Sequence, residues 1–327
     1  MVRLTPKPVA VLLALGLVLA LAAPVDSLPL SNRPIRIVVP FPPGGSTDVI
    51  ARTMGRRLSE KLGQDVVVEN RAGGATVPGV LAAVKAPADG HTLLLTSDAS
   101  FAINPYTIKD LAYDPLKDLA PVMVVGTVPN WLVVRADRPE KTFADLIDTI
   151  RRSPGKVSLT MNAPGSTVHI MMTSFKQRSG LDFELVAYKG LPPALTDLYG
   201  GHVTGTIDLV AGTAEHVRDG KLRPLVLFDE RRSPVAPDVP IPSEFGQSIP
   251  PMVSTFAYFT TAGTPPAVVA RLHGELAAIA REPEIAARLK QMGIDASLLS
   301  PADSVRYVRE QYERFGRVIR ETGFKVD

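Results

Sequence analysis

The feature that most constrains the fold is a regular alternation of short β-branched runs with amphipathic stretches of helical spacing. The runs have the length of buried strands, and the stretches between them place apolar residues three or four apart. Strands and helices that alternate in this way form parallel βαβ units. The pattern is followed by a second of the same kind, which predicts two α/β lobes. The expected strands are residues 35–41, 65–69, 91–96, 122–128, 131–135, 157–161, 183–188, 204–210, 225–228 and 256–260, and the expected helices are 48–62, 77–85, 142–152, 170–179, 192–199, 214–219, 265–281 and 301–322.

Two helices are expected to close the chain, each with a hydroxyl residue as its N-cap and a proline at its first position. These N-caps are Thr264 for the helix 265–281 and Ser300 for the helix 301–322. The last helix carries an apolar stripe that we expect to pack on a lobe, formed by Val305, Val308, Tyr312, Phe315 and Ile319.

The N-terminus has the composition of a secretory signal peptide. A basic start without acidic residues precedes an apolar run of 15 residues, 9–23, and small residues follow it. We therefore expect a signal peptide over residues 1–27, with cleavage between Ala22 and Leu28 and export to the periplasm. An uncleaved anchor is the alternative, but the run is shorter than the roughly 20 residues that span a bilayer.

Composition excludes several classes of function. The chain has no cysteine, which removes disulfides, a thiolate nucleophile and the lipid-accepting cysteine of a tethered lipoprotein. The formal charge is +3, of which Arg3, Lys7 and Asp26 of the signal segment contribute +1. A nearly neutral mature chain does not favour a nucleic-acid partner. We expect a free periplasmic monomer.

Two glycine-containing loops join a strand to a helix and carry the predicted chemistry. The first spans residues 40–48, and the second, 162–169, has the same plan in the second series. Glycine lets a backbone approach a ligand closely, and a helix N-terminus presents N–H groups with a partial positive charge. Both loops are therefore candidate anion seats. The alternative for the first is an ordinary turn with Ser46 or Thr47 as N-cap.

Other chemistries find little support in these loops. No Gly-Lys-Ser/Thr follows the glycines and no G-x-G-x-x-G is present, so we expect no nucleotide cofactor. Ser166 lacks the G-x-S-x-G context of a hydrolase nucleophile. His169 has no second histidine or cysteine at metal spacing, and we interpret it as a hydrogen-bonding residue at a helix start. Neither a metal site nor an enzyme is predicted.

The mature chain resembles the Bug family, the solute receptors of tripartite tricarboxylate transporters. The resemblance runs through RPIRIVVPFPPGGSTDVIAR, VVVENRAGGA, PADGHTLLL, INPY, YDPLKDLAPV, PGSTVH, YKGLPPALTDLYGGHV, GKLRPL, RRSPVAPDVPIPSEFG and AGTPPAVVARL, in the family's order. It implies a type II Venus-flytrap fold, in which two α/β lobes are joined by two crossover strands. Together with the doubled pattern, it places the first lobe at residues 29–127 plus 228–327 and the second at 128–227.

The resemblance also implies which residues bind a ligand carboxylate. The motif positions that match in this sequence are Pro42, Gly44, Gly45, Ser46, Thr47 and Asp48 in the first loop, Gly165, Ser166, Thr167 and His169 in the second, Tyr188 and Lys189 of the YKG motif, and Asp208. Lys189 ranks below the loop N–H groups, because a lysine at a strand end is more often solvated or ion-paired.

The sequence departs from the family pattern after the third strand, where Asp98 places an acid near the expected mouth of the pocket, and after GGxV, where Thr204 replaces the usual acid. Asp98 and Asp208 together would disfavour a bare di- or tricarboxylate by repulsion. They favour an amino acid or a hydroxy acid. The alternative is that Asp208 orders its own lobe and Asp98 points to solvent.

The predicted function is capture of a small carboxylate ligand and its delivery to the membrane permease subunits of a tripartite transporter. A sensory receptor of the same fold, presenting its ligand to a membrane sensor kinase, is the second hypothesis. The two differ in partner and not in pocket, so the chain alone does not separate them.

Overall fold

The structure is a computed structural model, and it describes residues 33–161, 166–188, 190–234 and 236–324. The expected signal peptide lies outside these residues. The strands are β1 (Ile35–Val39), β2 (Val66–Asn70), β3 (Thr92–Ser97), β4 (Leu119–Arg135), β5 (Ser158–Met161), β6 (Glu184–Ala187), β7 (Gly205–Leu209), β8 (Leu222–Leu227), β9 (Val253–Thr261) and β10 (Asp295–Ala296). The α-helices are α1 (Ser46–Leu62), α2 (Val77–Val84), α3 (Asn104–Thr107), α4 (Pro115–Asp118), α5 (Phe143–Arg152), α6 (Thr167–Ser179), α7 (Leu191–Gly200), α8 (Val210–Arg218), α9 (Pro266–Ala280), α10 (Pro283–Gln291) and α11 (Pro301–Thr322).

Strand pairing divides the sheet into two halves. In the order β2-β1-β3-β9-β4-β7-β5-β6, β1 is parallel to β2 and β3, and β5 is parallel to β6 and β7. The parallel βαβ units expected from the sequence are therefore confirmed. We call β1, β2, β3, β9 and their helices the first lobe, and β5 to β8 and their helices the second lobe. The two-lobed α/β fold class is as expected.

Strand β4 belongs to both lobes. Its part from Leu119 to Pro129 pairs with β9, and its part from Asn130 to Arg135 pairs with β7 and β8. The expectation of two separate strands, 122–128 and 131–135, is wrong. Pro129 lies where the strand changes partners, and the Asn130 side chain donates to the Met252 carbonyl at 2.7 Å, so the crossing stays extended.

The chain between β8 and β9 stays beside the second lobe before it returns. Ala236, Val239 and Ile241 pack in a core cluster with Trp131 and Leu198. The Met252 carbonyl then accepts the Asn130 N–H at 2.9 Å. The proline-rich segment therefore covers the second lobe before β9 enters the first.

Helix α11 matches its expected bounds, and the Ser300 hydroxyl caps it by accepting the Asp303 N–H at 3.1 Å. The Thr264 cap is wrong, because its hydroxyl donates to the Thr261 carbonyl at 2.8 Å and Pro265 is the N-cap of α9. In the predicted stripe, Val305 is 45% exposed, whereas three of the other members are buried, Val308, Phe315 and Ile319.

Helix α11 also connects the lobes. Near its start, the Ser304 hydroxyl accepts the Val124 N–H in the first lobe at 2.9 Å. At its end, Glu321 pairs with Arg178 of α6 at 2.6 Å, and the Thr322 carbonyl accepts from Gln177 at 3.2 Å. The middle of α11 thus lies at the junction between the lobes.

Candidate functional site

The candidate site lies where parallel strands of both lobes end and helices begin. In the first lobe β1 leads into α1 and β3 leads into a short π-helix at Ala99–Ile103. In the second lobe β5 leads toward α6, and β7 leads directly into α8. Parallel strands place their carboxyl ends at one edge of a sheet, so the helix N-termini of each lobe gather at that edge.

The first loop presents an open helix N-terminus. Pro42, Gly44, Gly45 and Ser46 are exposed, and Gly44 has φ 84°, a backbone conformation that favours glycine. Gly45 is the N-cap of α1, and within the described residues no side chain caps this helix. The alternative of a Ser46 or Thr47 cap is therefore wrong. The N–H groups of the first turn remain as donors for an anion.

Asp48 holds this loop in shape. Its carboxylate accepts the Gly44 N–H at 2.9 Å, the Arg52 Nε at 3.0 Å and the Asn70 Nδ2 at 2.9 Å. Asn70 also donates to the Phe41 carbonyl at 3.2 Å. Burial favours a higher pKa for Asp48, but the hydrogen bonds from Arg52, Gly44 and Asn70 outweigh it and lower the pKa below 3.8. The carboxylate therefore orders the loop through bonds that engage both of its oxygens.

The second loop is described from Ser166 onward, and Gly165 lies outside the described residues. The Ser166 hydroxyl caps α6 by accepting the His169 N–H at 3.2 Å. Thr167, the first residue of α6, is buried and its hydroxyl donates to Asp98 Oδ2 at 2.7 Å. The start of α6 is thereby tied to the first lobe.

Asp98 joins the two lobes. It is 3% exposed, and its second oxygen accepts the Thr255 N–H of β9 at 3.1 Å. Burial raises the pKa of Asp98, and the bonds from Thr167 and Thr255 oppose that shift only in part. The alternative in which Asp98 points to solvent is wrong. Both of its oxygens are already engaged by protein donors.

The His169 ring packs against an aromatic ring beyond α11. Its ring meets the ring of Phe324 edge to face, with centroids 4.7 Å apart. Burial lowers the pKa of His169 below 6.5, so the neutral ring is favoured. The ring contact links the second loop to Phe324, two residues past the end of α11.

The remaining predicted residues surround the second lobe's strand ends. The Tyr188 hydroxyl donates to Asp197 of α7, and this hydrogen bond raises the pKa of Tyr188. Lys189 lies outside the described residues. Asp208, at 5% exposure, directs a carboxylate oxygen to the start of α8, where a Cβ added to Gly212 would lie 2.3 Å from it. The structure thus places Asp208 at the helix that follows its own strand.

Sequence reasoning missed three residues that surround Asp98. Thr255 donates its N–H to Asp98, and the Tyr307 hydroxyl lies 2.9 Å from the Thr255 hydroxyl. The positive charge of Arg314 acts to lower the pKa of Asp98, against the effect of burial. Tyr307 and Arg314 are seven residues apart on α11 and so share a face. In the sequence, Tyr307 and Arg314 appear only as polar positions beside the apolar stripe of α11.

The described part of the chain contains no cluster of three or more histidine, aspartate or glutamate side chains arranged for a metal ion. Within the same residues, no helix combines the length and the apolar character needed to cross a bilayer. What the site supplies is a set of backbone N–H donors at helix N-termini, with a hydrogen bond across the two lobes. This arrangement suits an anionic group.

Two α/β lobes joined by a crossing strand, with helix N-termini at the strand ends, are an architecture that solute-binding proteins use. The family model of the tripartite tricarboxylate transporter family receptor matches residues 50–324. Protein BugT of Bordetella pertussis is 37% identical over 309 residues, which cover 94% of each chain. The chain therefore belongs to the tripartite tricarboxylate transporter receptor family, which includes the Bug proteins, as the sequence motifs indicated.

Solved structures agree with this assignment. R. palustris Rpa4515 with adipate is 33% identical with a TM-score of 0.77, covering 90% of this chain and 98% of that one. MatC (Rpa3494) from Rhodopseudomonas palustris with bound malate is 26% identical with a TM-score of 0.71, covering 88% and 99%. Both neighbours are described with a bound carboxylate.

Proposed function

We propose that this chain is a periplasmic receptor that captures a small carboxylate between its lobes and delivers it to the membrane permease subunits of a tripartite transporter. The observation that carries the proposal is the open N-terminus of α1 at Gly45, on the first lobe, together with the Asp98–Thr167 bond that ties the second loop to that lobe at 2.7 Å.

The binding chemistry follows from these elements. A ligand carboxylate at the first loop would accept N–H groups from the turn Gly45 to Thr47. Ser166 and Thr167 would close on it from the second lobe. Gly165 and Lys189 remain proposed contacts, with Lys189 secondary. Because Gly45 has no Cβ, the carboxylate can approach the backbone closely.

The hydrogen bonds of Asp98 bear on which class of ligand is expected. Since both of its oxygens accept protein donors, it is poorly placed to pair with a ligand ammonium. The preference for an amino acid or hydroxy acid over a di- or tricarboxylate then rests on Asp208 alone. The relatives described with adipate and malate support a diacid as the first ligand to test.

Export and lobe boundaries are part of the same proposal. We assign residues 1–27 to a signal peptide. We assign 29–127 plus 228–327 to the first lobe and 128–227 to the second. Because Ala236 and Ile241 pack on the second lobe, we place the point where the chain returns to the first lobe near Met252, later than residue 228.

Isothermal titration calorimetry tests the proposal. Purified mature protein would be titrated with adipate, malate, citrate, glutamate and the diamide of adipate. We expect at least one acid to bind with a dissociation constant at or below about 10 μM, a free energy of about −7 kcal/mol, and the diamide to bind far more weakly. Binding of the diamide as tight as that of the acid, or binding of no carboxylate, would overturn it.

A further inference from the structure

Arg314 has an unusual environment for an arginine on a surface helix. Its Nε and Nη2 atoms are both buried, and within the described residues neither has a hydrogen-bond partner. Its guanidinium carbon lies 5.2 Å from the centre of the Phe315 ring. These two nitrogens form the edge of the guanidinium that binds a carboxylate with two parallel bonds.

The position of Arg314 is at the junction between the lobes. Along α11, it lies between Ser304, which is bonded to the first lobe, and Glu321, which is paired with the second. On the same helix face, Tyr307 meets Thr255, whose N–H is bonded to Asp98. A continuous chain of contacts thus connects Thr167 of the second loop to the face of α11 that carries Arg314.

The nearby acids do not pair with this guanidinium. Asp98, Asp229 and Glu230 act on Arg314 through charge, yet none is hydrogen-bonded to it. Asp98 is engaged by Thr167 and the Thr255 N–H, and Asp229 accepts the Glu230 N–H at 2.7 Å. Burial raises the pKa of Asp98 and of Asp229.

A buried guanidinium without an anion is costly, because its desolvation is not offset by a partner. Burial accordingly lowers the pKa of Arg314, although the surrounding acids favour its charged form. The free-energy cost of burying the Arg314 guanidinium is reduced if an anionic group of the ligand binds to it.

We propose that Arg314 is a specificity-determining residue that binds a second carboxylate of the ligand through Nε and Nη2. This inference rests on the proposed function, in which the loops at Gly45 and Ser166 hold the first carboxylate. The ligand class is then a diacid, with one acid group at the helix N-termini and the other at the C-terminal helix.

The experiment compares diacids with matched monoacids in which one carboxylate is replaced by a methyl group. The pairs are adipate with hexanoate, and malate with 3-hydroxybutyrate, measured by calorimetry on the wild type, Arg314→Gln and Arg314→Lys. We expect Arg314→Gln to weaken the diacid by about 100-fold and the monoacid by less than about threefold. Arg314→Lys keeps the positive charge but lacks the two parallel N–H donors of the guanidinium, so the diacid should bind about tenfold more weakly.

The control is Arg317→Gln, an exposed arginine on the same helix, which should change neither affinity. Melting temperatures without ligand establish that each variant folds, and Arg314→Lys carries the test if Arg314→Gln does not. Equal weakening of diacid and monoacid, or no weakening, would overturn the role of Arg314 and leave the receptor function intact. A wild type that binds no acid would overturn the proposed function, and this inference with it.

Discussion

Replacing Asp48 with asparagine tests whether the first loop is ordered by this carboxylate. Asp48 is 3% exposed and accepts bonds from Gly44, Arg52 and Asn70. Asparagine keeps the shape but loses the charge and places an amide N–H₂ against a donor. Hydrogen bonds to charged groups contribute about 1.5–3 kcal/mol each. The Arg52 side chain is 53% exposed, so its pairing with Asp48 contributes toward the lower end of that range.

We therefore expect Asp48→Asn to lower the free energy of unfolding by about 1–3 kcal/mol. The corresponding fall in melting temperature is several degrees. The affinity for the best-binding acid should fall about tenfold, or 1.4 kcal/mol, because the N–H groups of the loop are no longer held in place. Urea unfolding and calorimetry measure the two effects.

The pH dependence of the same variant gives an independent check. Because the pKa of Asp48 is lowered in the folded chain, its contribution to stability is present above pH 3.8, the ordinary value. It is lost as the pH falls through the folded pKa. The stability difference between the wild type and Asp48→Asn should therefore shrink on acidification.

Asp145 provides the matched control. It is also the third residue of its helix, α5, and accepts the N–H of the residue four positions earlier, Lys141, at 2.9 Å. Asp145→Asn should leave ligand affinity unchanged. Unchanged affinity in Asp48→Asn, whether or not stability falls, would refute the argument that this carboxylate orders the binding loop.

Four further substitutions concern the loops. Gly45→Ala should fold normally, since φ is −73° and the new Cβ would lie 3.6 Å from the nearest carbonyl, but should bind at least about tenfold more weakly. Gly44→Ala, at φ 84°, should lose about 1 kcal/mol of stability, and equal melting temperatures for the two variants would contradict this. Thr167→Val removes the bond to Asp98 and should weaken binding about tenfold. An unchanged dissociation constant, measured by calorimetry, would show that this bond does not contribute to binding. Because burial lowers the pKa of His169 below 6.5, stability should fall as the pH falls from about 7.5 to 5.5, and this slope should be reduced in His169→Gln; an identical slope would exclude the histidine as its source.

Local patterns in the sequence predicted most of the fold. The start of helix α11 was predicted correctly because Ser300 and Pro301 each have a defined role at a helix N-terminus. The continuity of β4 was not predicted, because it depends on pairing with strands that lie far away in the sequence. Only the exchange of partners at Pro129, from β9 to β7 and β8, explains why the strand continues.

The choice of the two loops as a candidate site came from the sequence, whereas their internal hydrogen bonds came from the structure. The two loops follow from glycines placed between a strand and a helix. The roles of Asp48 and Asp98 depend on Asn70, 22 residues away, and on Thr167 and Thr255, 69 and 157 residues away. No local pattern encodes such pairs, so the sequence alone did not show that Asp48 and Asp98 accept hydrogen bonds from distant protein groups.

The most direct test of the account is a crystal structure of the mature protein with the acid that binds best. We expect a ligand carboxylate within hydrogen-bond distance of the N–H groups from Gly45 to Thr47, with Ser166 and Thr167 on its other side. A ligand found instead in the apolar hollow of about 420 Å³ beside Pro266 and Val305 would contradict the account, as would a ligand between the lobes with its carboxylate turned away from both loops.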